Sequence, residues 1–385
     1  AFACRVEGDT DPEAQVTAAT WRPAAGAQAP PQLLSVSNTG HVFLHTAPPA
    51  ADDAASAAAA PAVAPPPADQ AAGWELAERV VQVPGARAPG ATGKFDTFCT
   101  KWSAGGVRFA IGTSDCNVHV FRPRADGGAA PAWVATLRGH RHDVTSLSWA
   151  AAGDRILSGS VDGTARLWSL KGEMVGRALA SSSDGPPPER WSSTQLGRPP
   201  EEGVAVPIVG QVAWTCDDKM VVAARTDATI GVWDGRSGRP LHTLAAYGTP
   251  GASALAHQDR IYVLDCHPTL PHVAVSASYD GTALLWDLGN GVATDALANI
   301  PLGDGECEFV DGRWSPSGDA IVLTDSSGRL HLHGLALGAA SAADVNRDGT
   351  RVGGATALAA GGGGAAAAPY DQFFATDPEP LAPFD

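Results

Sequence analysis

The sequence predicts an all-β fold of the propeller class. Three observations carry that reading: six imperfect copies of one pattern, a tight turn at a matching place in each, and four residues that recur together in two copies. The clearest copy, GHRHDVTSLSWAAAGDRILSGSVDGTARLWSL, runs from Gly139 to Leu170. It holds three β-like runs (VTSLSW, RILSGS, TARLWSL), and the Asp162-Gly163 pair before the third is a strong tight-hairpin signal. A second full copy, HQDRIYVLDCHPTLPHVAVSASYDGTALLWDL, runs from His257 to Leu288. Weaker copies span Val16–His45, Phe98–Phe121, Val209–Asp234 and Phe309–His333.

The turn falls at Thr39, Asp115, Asp162, Asp227, Asp280 and Ser327, with spacings of 76, 47, 65, 53 and 47 residues. The shortest lie just above the period of roughly 40–45 residues that marks one four-stranded blade. The longer ones carry visible insertions: an Ala/Pro tract at 47–73, a Ser/Pro/charge tract at 171–203, and a small-residue loop from Ala245 to Ala256. Such tracts read as linkers between packed elements. Blades are expected near 1–46, 74–122, 131–170, 204–243, 257–295 and 304–335. An Ala/Gly-rich linker at 336–369 and the start of a further segment at 370–385 follow.

Inner strands covered on both faces must be apolar on both, so polar residues within them need partners. His140, Ser158, Asp162 and Trp168 recur as His257, Ser276, Asp280 and Trp286, with Ser-to-Asp and Asp-to-Trp spacings unchanged. This is the residue set of the WD-repeat hydrogen-bond tetrad. That likeness implies that the turn Asp accepts from the His ring, that the His meets the Ser hydroxyl, and that the Ser meets the indole N–H. A Ser–His–Asp hydrolase triad is the functional alternative. It is rejected because the set appears twice in structural register and neither Ser sits in a GxSxG elbow. Other copies are incomplete: Ala223 stands for the Ser beside Asp227 and Trp233, Phe121 for the Trp beside Asp115, and the sixth has Ser327 and His333.

Composition narrows the function classes. The formal net charge is −15, which argues against direct nucleic-acid binding. Arg122, Arg124, Arg138, Arg141 and His142 form at most a local basic rim, more simply read as a solvated edge. Six Cys are scattered without a CxxC pair, so neither a zinc site nor a disulfide framework is expected. Reduced thiols of the cytoplasm or nucleus are the plain reading. No apolar run approaches membrane-spanning length, and no signal-peptide pattern is evident. Phosphate-loop, HExxH, dinucleotide and EF-hand motifs are missing from the sequence. His331 and His333 alternate on one strand face without ligand partners at metal spacing. No catalytic residue, metal or cofactor is assigned.

Four segments sharpen the picture: KFDTFCTKWSAGGVRFAIGTSD, SGSVDGTARLWSL, VWDGRSGRPLHTL and YDQFFATDPEPL. Together they resemble the bromodomain and WD repeat-containing proteins, over nearly the whole chain apart from its low-complexity insertions. The resemblance implies that the six visible blades are part of an eight-bladed ring. It places this chain from the third repeat to just past the YDQFF segment, with the acetyl-lysine-reading modules beyond it. It further implies a nuclear, chromatin-associated regulator of transcription by RNA polymerase II, a protein scaffold rather than an enzyme. Some family members are substrate receptors of cullin-type ubiquitin ligases. Trp233-Asp234-Gly235-Arg236 matches the WDxR sequence of adaptor-binding WD proteins, in which the Arg pairs with an acidic patch on the adaptor. A cytoplasmic scaffold in cytoskeletal or cell-shape regulation is the alternative.

Overall fold

A computed structural model of the chain describes residues 15–23, 32–46, 81–84, 95–123, 131–171, 189–197, 206–244, 255–299 and 308–334. All regular structure among them is β: twenty-three strands in six sheets. The chain divides into two units, residues 1–195 and 196–385, the boundary falling at the last residue of the twelfth strand.

In the first unit, sheet one is β1 (Val16–Trp21), β2 (Gln32–Ser37), β3 (His41–Thr46) and β4 (Val81–Gln82). Sheet two is β5 (Thr97–Trp102), β6 (Phe109–Thr113), β7 (Asn117–Arg122) and β8 (Ala132–Arg138). Sheet three is β9 (Val144–Trp149), β10 (Arg155–Ser160), β11 (Ala165–Leu170) and β12 (Trp191–Leu196). In the second unit, sheet four is β13 (Val209–Trp214), β14 (Met220–Arg225), β15 (Ile230–Asp234) and β16 (Pro240–Leu244). Sheet five is β17 (Ile261–Cys266), β18 (Val273–Ser278), β19 (Thr282–Asp287) and β20 (Val292–Asn299). Sheet six is three-stranded: β21 (Phe309–Trp314), β22 (Ala320–Asp325) and β23 (Leu330–Gly334). Consecutive strands are neighbours in every sheet, and the pairing is antiparallel, as where β10 joins β9 and β11. This is the blade architecture of an all-β propeller, three blades to a unit.

The sheets and the sequence repeats are offset by one strand. β8 lies inside the repeat window 131–170, yet it pairs with β7 and closes the second sheet. β12 lies inside the tract taken as an insertion at 171–203, yet it is the fourth strand of the third sheet. The turn-based alignment misses these strands because the fourth strand carries neither the turn nor the tetrad residues. The tracts at 47–73, 336–369 and 370–385 lie outside the described residues.

Within each unit, apolar faces meet between successive sheets. Cys99, Val118 and Val120 of sheet two pack with Val144, Leu147, Trp149 and Trp168 of sheet three. Val273, Val275 and Leu285 of sheet five pack with Phe309, Trp314 and Leu323 of sheet six. The turn between second and third strands has one geometry in all six blades. Its closing residue, Gly40, Cys116, Gly163, Ala228, Gly281 or Gly328, has φ between +63° and +81°. Only Gly adopts that conformation freely, so Cys116 and Ala228 are held there by the hairpin.

Candidate functional site

The residues singled out above fall into two networks and one surface turn. In the third blade, His140 precedes β9, Ser158 lies on β10, Asp162 caps the β10–β11 turn and Trp168 lies on β11. All four are at most 8% exposed. His140 Nδ1 stands 3.0 Å from Asp162 Oδ2 and Nε2 stands 2.7 Å from Ser158 Oγ, which also accepts from Trp168 Nε1 at 2.8 Å. The indole can only donate and the carboxylate can only accept, so the proton count fixes the chain. Nδ1–H donates to Asp162, the Ser158 hydroxyl donates to Nε2, and every polar atom on the path is satisfied. Burial pushes the Asp162 carboxyl up, but hydrogen bonds from His140, Thr164 and the Arg141 backbone outweigh it and hold the group well below the usual carboxylate range.

The fifth blade repeats this arrangement with one change. His257 Nε2 meets Ser276 Oγ at 2.6 Å, and Trp286 Nε1 donates to the same oxygen at 2.6 Å. His257 Nδ1 lies 2.9 Å from Thr282 Oγ1 and 3.4 Å from Asp280 Oδ2. Thr282 passes the contact on by donating to Asp280 Oδ1 at 2.5 Å. Burial acts against ionisation, yet His257, Thr282 and the Gln258 backbone keep the Asp280 carboxyl at about 2. As catalytic groups both sets are unsuited: each Ser hydroxyl is fully buried and already bridges a ring nitrogen and an indole.

The incomplete blades fill the same slots differently. In the first, His45 stands in the Trp position and its Nε2 meets Ser35 Oγ at 2.8 Å. In the second, Ile111 and Phe121 replace the Ser and Trp together, so neither polar atom exists. A histidine on the third strand substitutes for the loop histidine: His119 Nε2 lies 3.2 Å from Asp115 Oδ2. Burial is again outweighed, here by His119, Thr113 and Asn117, and Asp115 sits at about 2. In the sixth, His331 Nε2 lies 2.8 Å from Asp325 Oδ2, the carboxylate that sequence spacing did not place beside it. Among the described residues no group of three potential metal ligands occurs.

Sequence reasoning also passed over the aromatic residue ending each first strand: Trp21, Trp102, Trp149, Trp214 and Trp314, with Cys266 in the fifth blade. Trp149 Nε1 donates to Lys101 O at 3.0 Å and Trp314 Nε1 to Asp265 O at 3.3 Å. Each ties its blade to the preceding one. The signal was present in VTSLSW and FVDGRW, but it was read as strand composition rather than as a recurring donor.

The Trp233–Arg236 segment separates on inspection. Trp233 is 4% exposed, with the Arg225 guanidinium 5.5 Å from its ring centroid, and Gly231 leaves the room its indole occupies. Asp234 Oδ1 accepts from the Arg236 and Ser237 backbones at 3.2 and 2.6 Å and from Ser237 Oγ at 2.6 Å. Those Ser237 bonds depress its carboxyl. Only Arg236 is exposed, at the tip of the β15–β16 turn. The basic rim is likewise divided: Arg122 and Arg108 both bond Glu189 Oε1. Arg138, Arg141 and His142 are exposed, and Arg124 lies outside the described residues.

The WD domain, G-beta repeat family matches residues 132–169 and 248–287, the stretches that carry the two complete networks. The chain thus carries WD repeats. Among curated relatives of this WD-repeat chain, a bromodomain and WD repeat-containing protein of Dictyostelium discoideum is 26% identical over 252 residues. The match covers 65% of this chain and 10% of that protein. Autophagy-related protein 16 of Arabidopsis thaliana is 34% identical over 101 residues, 26% of this chain and 18% of its own length. Protein HIRA of Zea mays is 28% identical over 142 residues, 35% of this chain and 14% of its own. The chain therefore spans less than a fifth of the length of these relatives.

Proposed function

We propose that this WD-repeat chain is a non-enzymatic protein-interaction scaffold acting in the nucleus, in chromatin-associated control of transcription by RNA polymerase II. We further propose that it serves a cullin-type ubiquitin ligase as a substrate receptor through Arg236. One observation carries the scaffold reading. The two Ser–His–Asp sets are buried and occupied with an indole each, so the polar residues that could have done chemistry hold blades together instead. The chromatin reading rests on resemblance to the bromodomain and WD repeat-containing proteins, one of which is among the relatives. The ligase reading rests on Arg236, an exposed guanidinium on a turn that Asp234 holds rigid. A cytoplasmic scaffold in cytoskeletal or cell-shape regulation is the second reading.

The test is affinity purification of the protein tagged at its native locus, read by mass spectrometry, for wild type and Arg236→Ala. The proposal expects histones and a cullin adaptor with wild type, and loss of the adaptor alone from the variant. Recovery of cytoplasmic proteins only would overturn the nuclear reading. An adaptor retained by Arg236→Ala would overturn the role of that turn.

A further inference from the structure

The first strand of every blade is bulged at its second residue. Thr17, Phe98, Thr145, Gly210, Tyr262 and Val310 are skipped where the first strand pairs with the second. A bulge takes a residue out of the ladder and re-aims its side chain. The residue before each turn position is tied to the same end of the blade, its backbone N–H bonding the carbonyl just ahead of the first strand. In four blades its side chain also accepts the backbone N–H of that same residue. Asn38 accepts from Gln15, Ser114 from Asp96, Thr226 from Ile208 and Ser326 from Glu308, at 2.9 to 3.4 Å.

The fifth blade departs from this rule. Tyr279 keeps the backbone bond to Arg260 O at 3.0 Å, but its side chain is a ring, and Arg260 N is met by Asp259 Oδ1 at 2.6 Å instead. The Tyr279 ring stacks on the bulged Tyr262, with centroids 4.1 Å apart and planes 15° from parallel. Both tyrosines keep part of their surface open to solvent. The stack is therefore placed by backbone on both sides and faces water, where packing alone does not require it. Glu308 of the sixth blade stands close enough to act on it. The Tyr279 phenol is raised first by the Tyr262 hydroxyl and by burial, then by the charge of Glu308, with Arg260 acting the other way. Val310, at the Tyr262 position of the sixth blade, is 38% exposed. Fixed aromatic faces beside a carboxylate, on a chain of net charge −15, complement a cation and repel phosphate.

We propose that the Tyr262–Tyr279 stack is a docking subsite for an arginine side chain in a basic segment of a partner protein. The planar guanidinium lies along a ring face of the stack and donates to the Glu308 carboxylate. A flat pair of rings suits a guanidinium, which stacks, better than an ammonium, which is a strongly hydrated point charge. The proposal rests on the scaffold reading above, and on neither its nuclear nor its ligase part.

The probes are two fluorescein-labelled eight-residue peptides of equal charge, one alternating Ala with Arg and one alternating Ala with Lys. Each is titrated against the full chain at physiological ionic strength and read by anisotropy. Saturable binding is expected, about tenfold tighter for the Arg peptide. Tyr279→Ser installs the residue that caps this turn in the second and sixth blades, so the blade keeps its fold while the Arg preference is lost. Tyr279→Phe keeps the ring and the preference, and Glu308→Gln weakens the Arg peptide severalfold. Arg236→Ala, which tests the ligase reading, leaves the preference in place. Equal binding of the two peptides to unaltered protein would overturn the proposal, because attraction to the acidic chain as a whole does not tell Arg from Lys. The scaffold reading would then still stand on its own affinity purification. Absence of saturable binding, or an Arg preference that survives Tyr279→Ser, would overturn the proposal equally.

Discussion

The third and sixth blades order their first three strands alike and share the same turn, yet their polar interiors end in opposite states. In the third, Ser158 stands between His140 and Trp168, and no donor or acceptor on the path is left over. In the sixth, Leu323 occupies the Ser position and His333 the Trp position, and the ring is buried with neither nitrogen bonded. The second blade shows the consistent way to lose the network, since Ile111 and Phe121 remove both polar atoms at once. The first keeps the contact with other chemistry, through Ser35 and His45. The hydroxyl slot and the ring slot are therefore coupled. The ring is satisfied where a hydroxyl stands beside it, as in the third blade, needs nothing where both residues are apolar, as in the second, and is orphaned where Leu323 stands with His333.

The largest effect should come from breaking the complete blade. Trp168→Ala removes a buried aromatic and strands Ser158, so a loss of roughly 3–5 kcal/mol is expected from urea unfolding. An unchanged midpoint would mean that the indole does not hold the blade. The opposite sign is expected in the sixth blade. Burial and the neighbouring His331 lower the His333 ring to about 4, against an ordinary value near 6.5. Between those values the unfolded chain takes up a proton that the folded chain does not. Stability is therefore full above about 6.5 and declines as pH falls toward about 4. His333→Phe should raise stability by about 1–2 kcal/mol, as expected when an unpaired buried group is removed, and flatten that decline. A lower midpoint at both pH 7.5 and pH 5 would show that the ring has a partner after all. The smallest effect should come from the turns. Ala228→Gly relieves a φ of +63° and should stabilise by about 1 kcal/mol. Gly163→Ala, which imposes the same conformation on Ala, should cost a similar amount.

Much of this contrast was legible in the sequence where spacing is regular. The two complete sets and all six turn positions could be read from residue order, because a hairpin fixes how far apart its members sit. The fourth strands could not, since β12 follows a tract of variable length and shares only a polar-then-Leu step with β8 and β16. Nor could the substitutions: His119 and His331 replace a loop histidine from a different strand, and Asp325 precedes its turn position rather than occupying it. Such exchanges conserve contacts in space without conserving order along the chain. The WDxR match was a sequence signal that geometry divided, with Trp233 and Asp234 turned to internal work and Arg236 left at the surface.

The coupling of the two slots is tested most directly by a double-mutant cycle in the third blade, with Ser158→Ala, Trp168→Phe and the pair compared by denaturant unfolding. Each single change should orphan a group, and the pair should cost less than the sum of the singles by about 1 kcal/mol or more, within the range measured for contacting residues. Strict additivity would contradict the claim that these positions act as one unit.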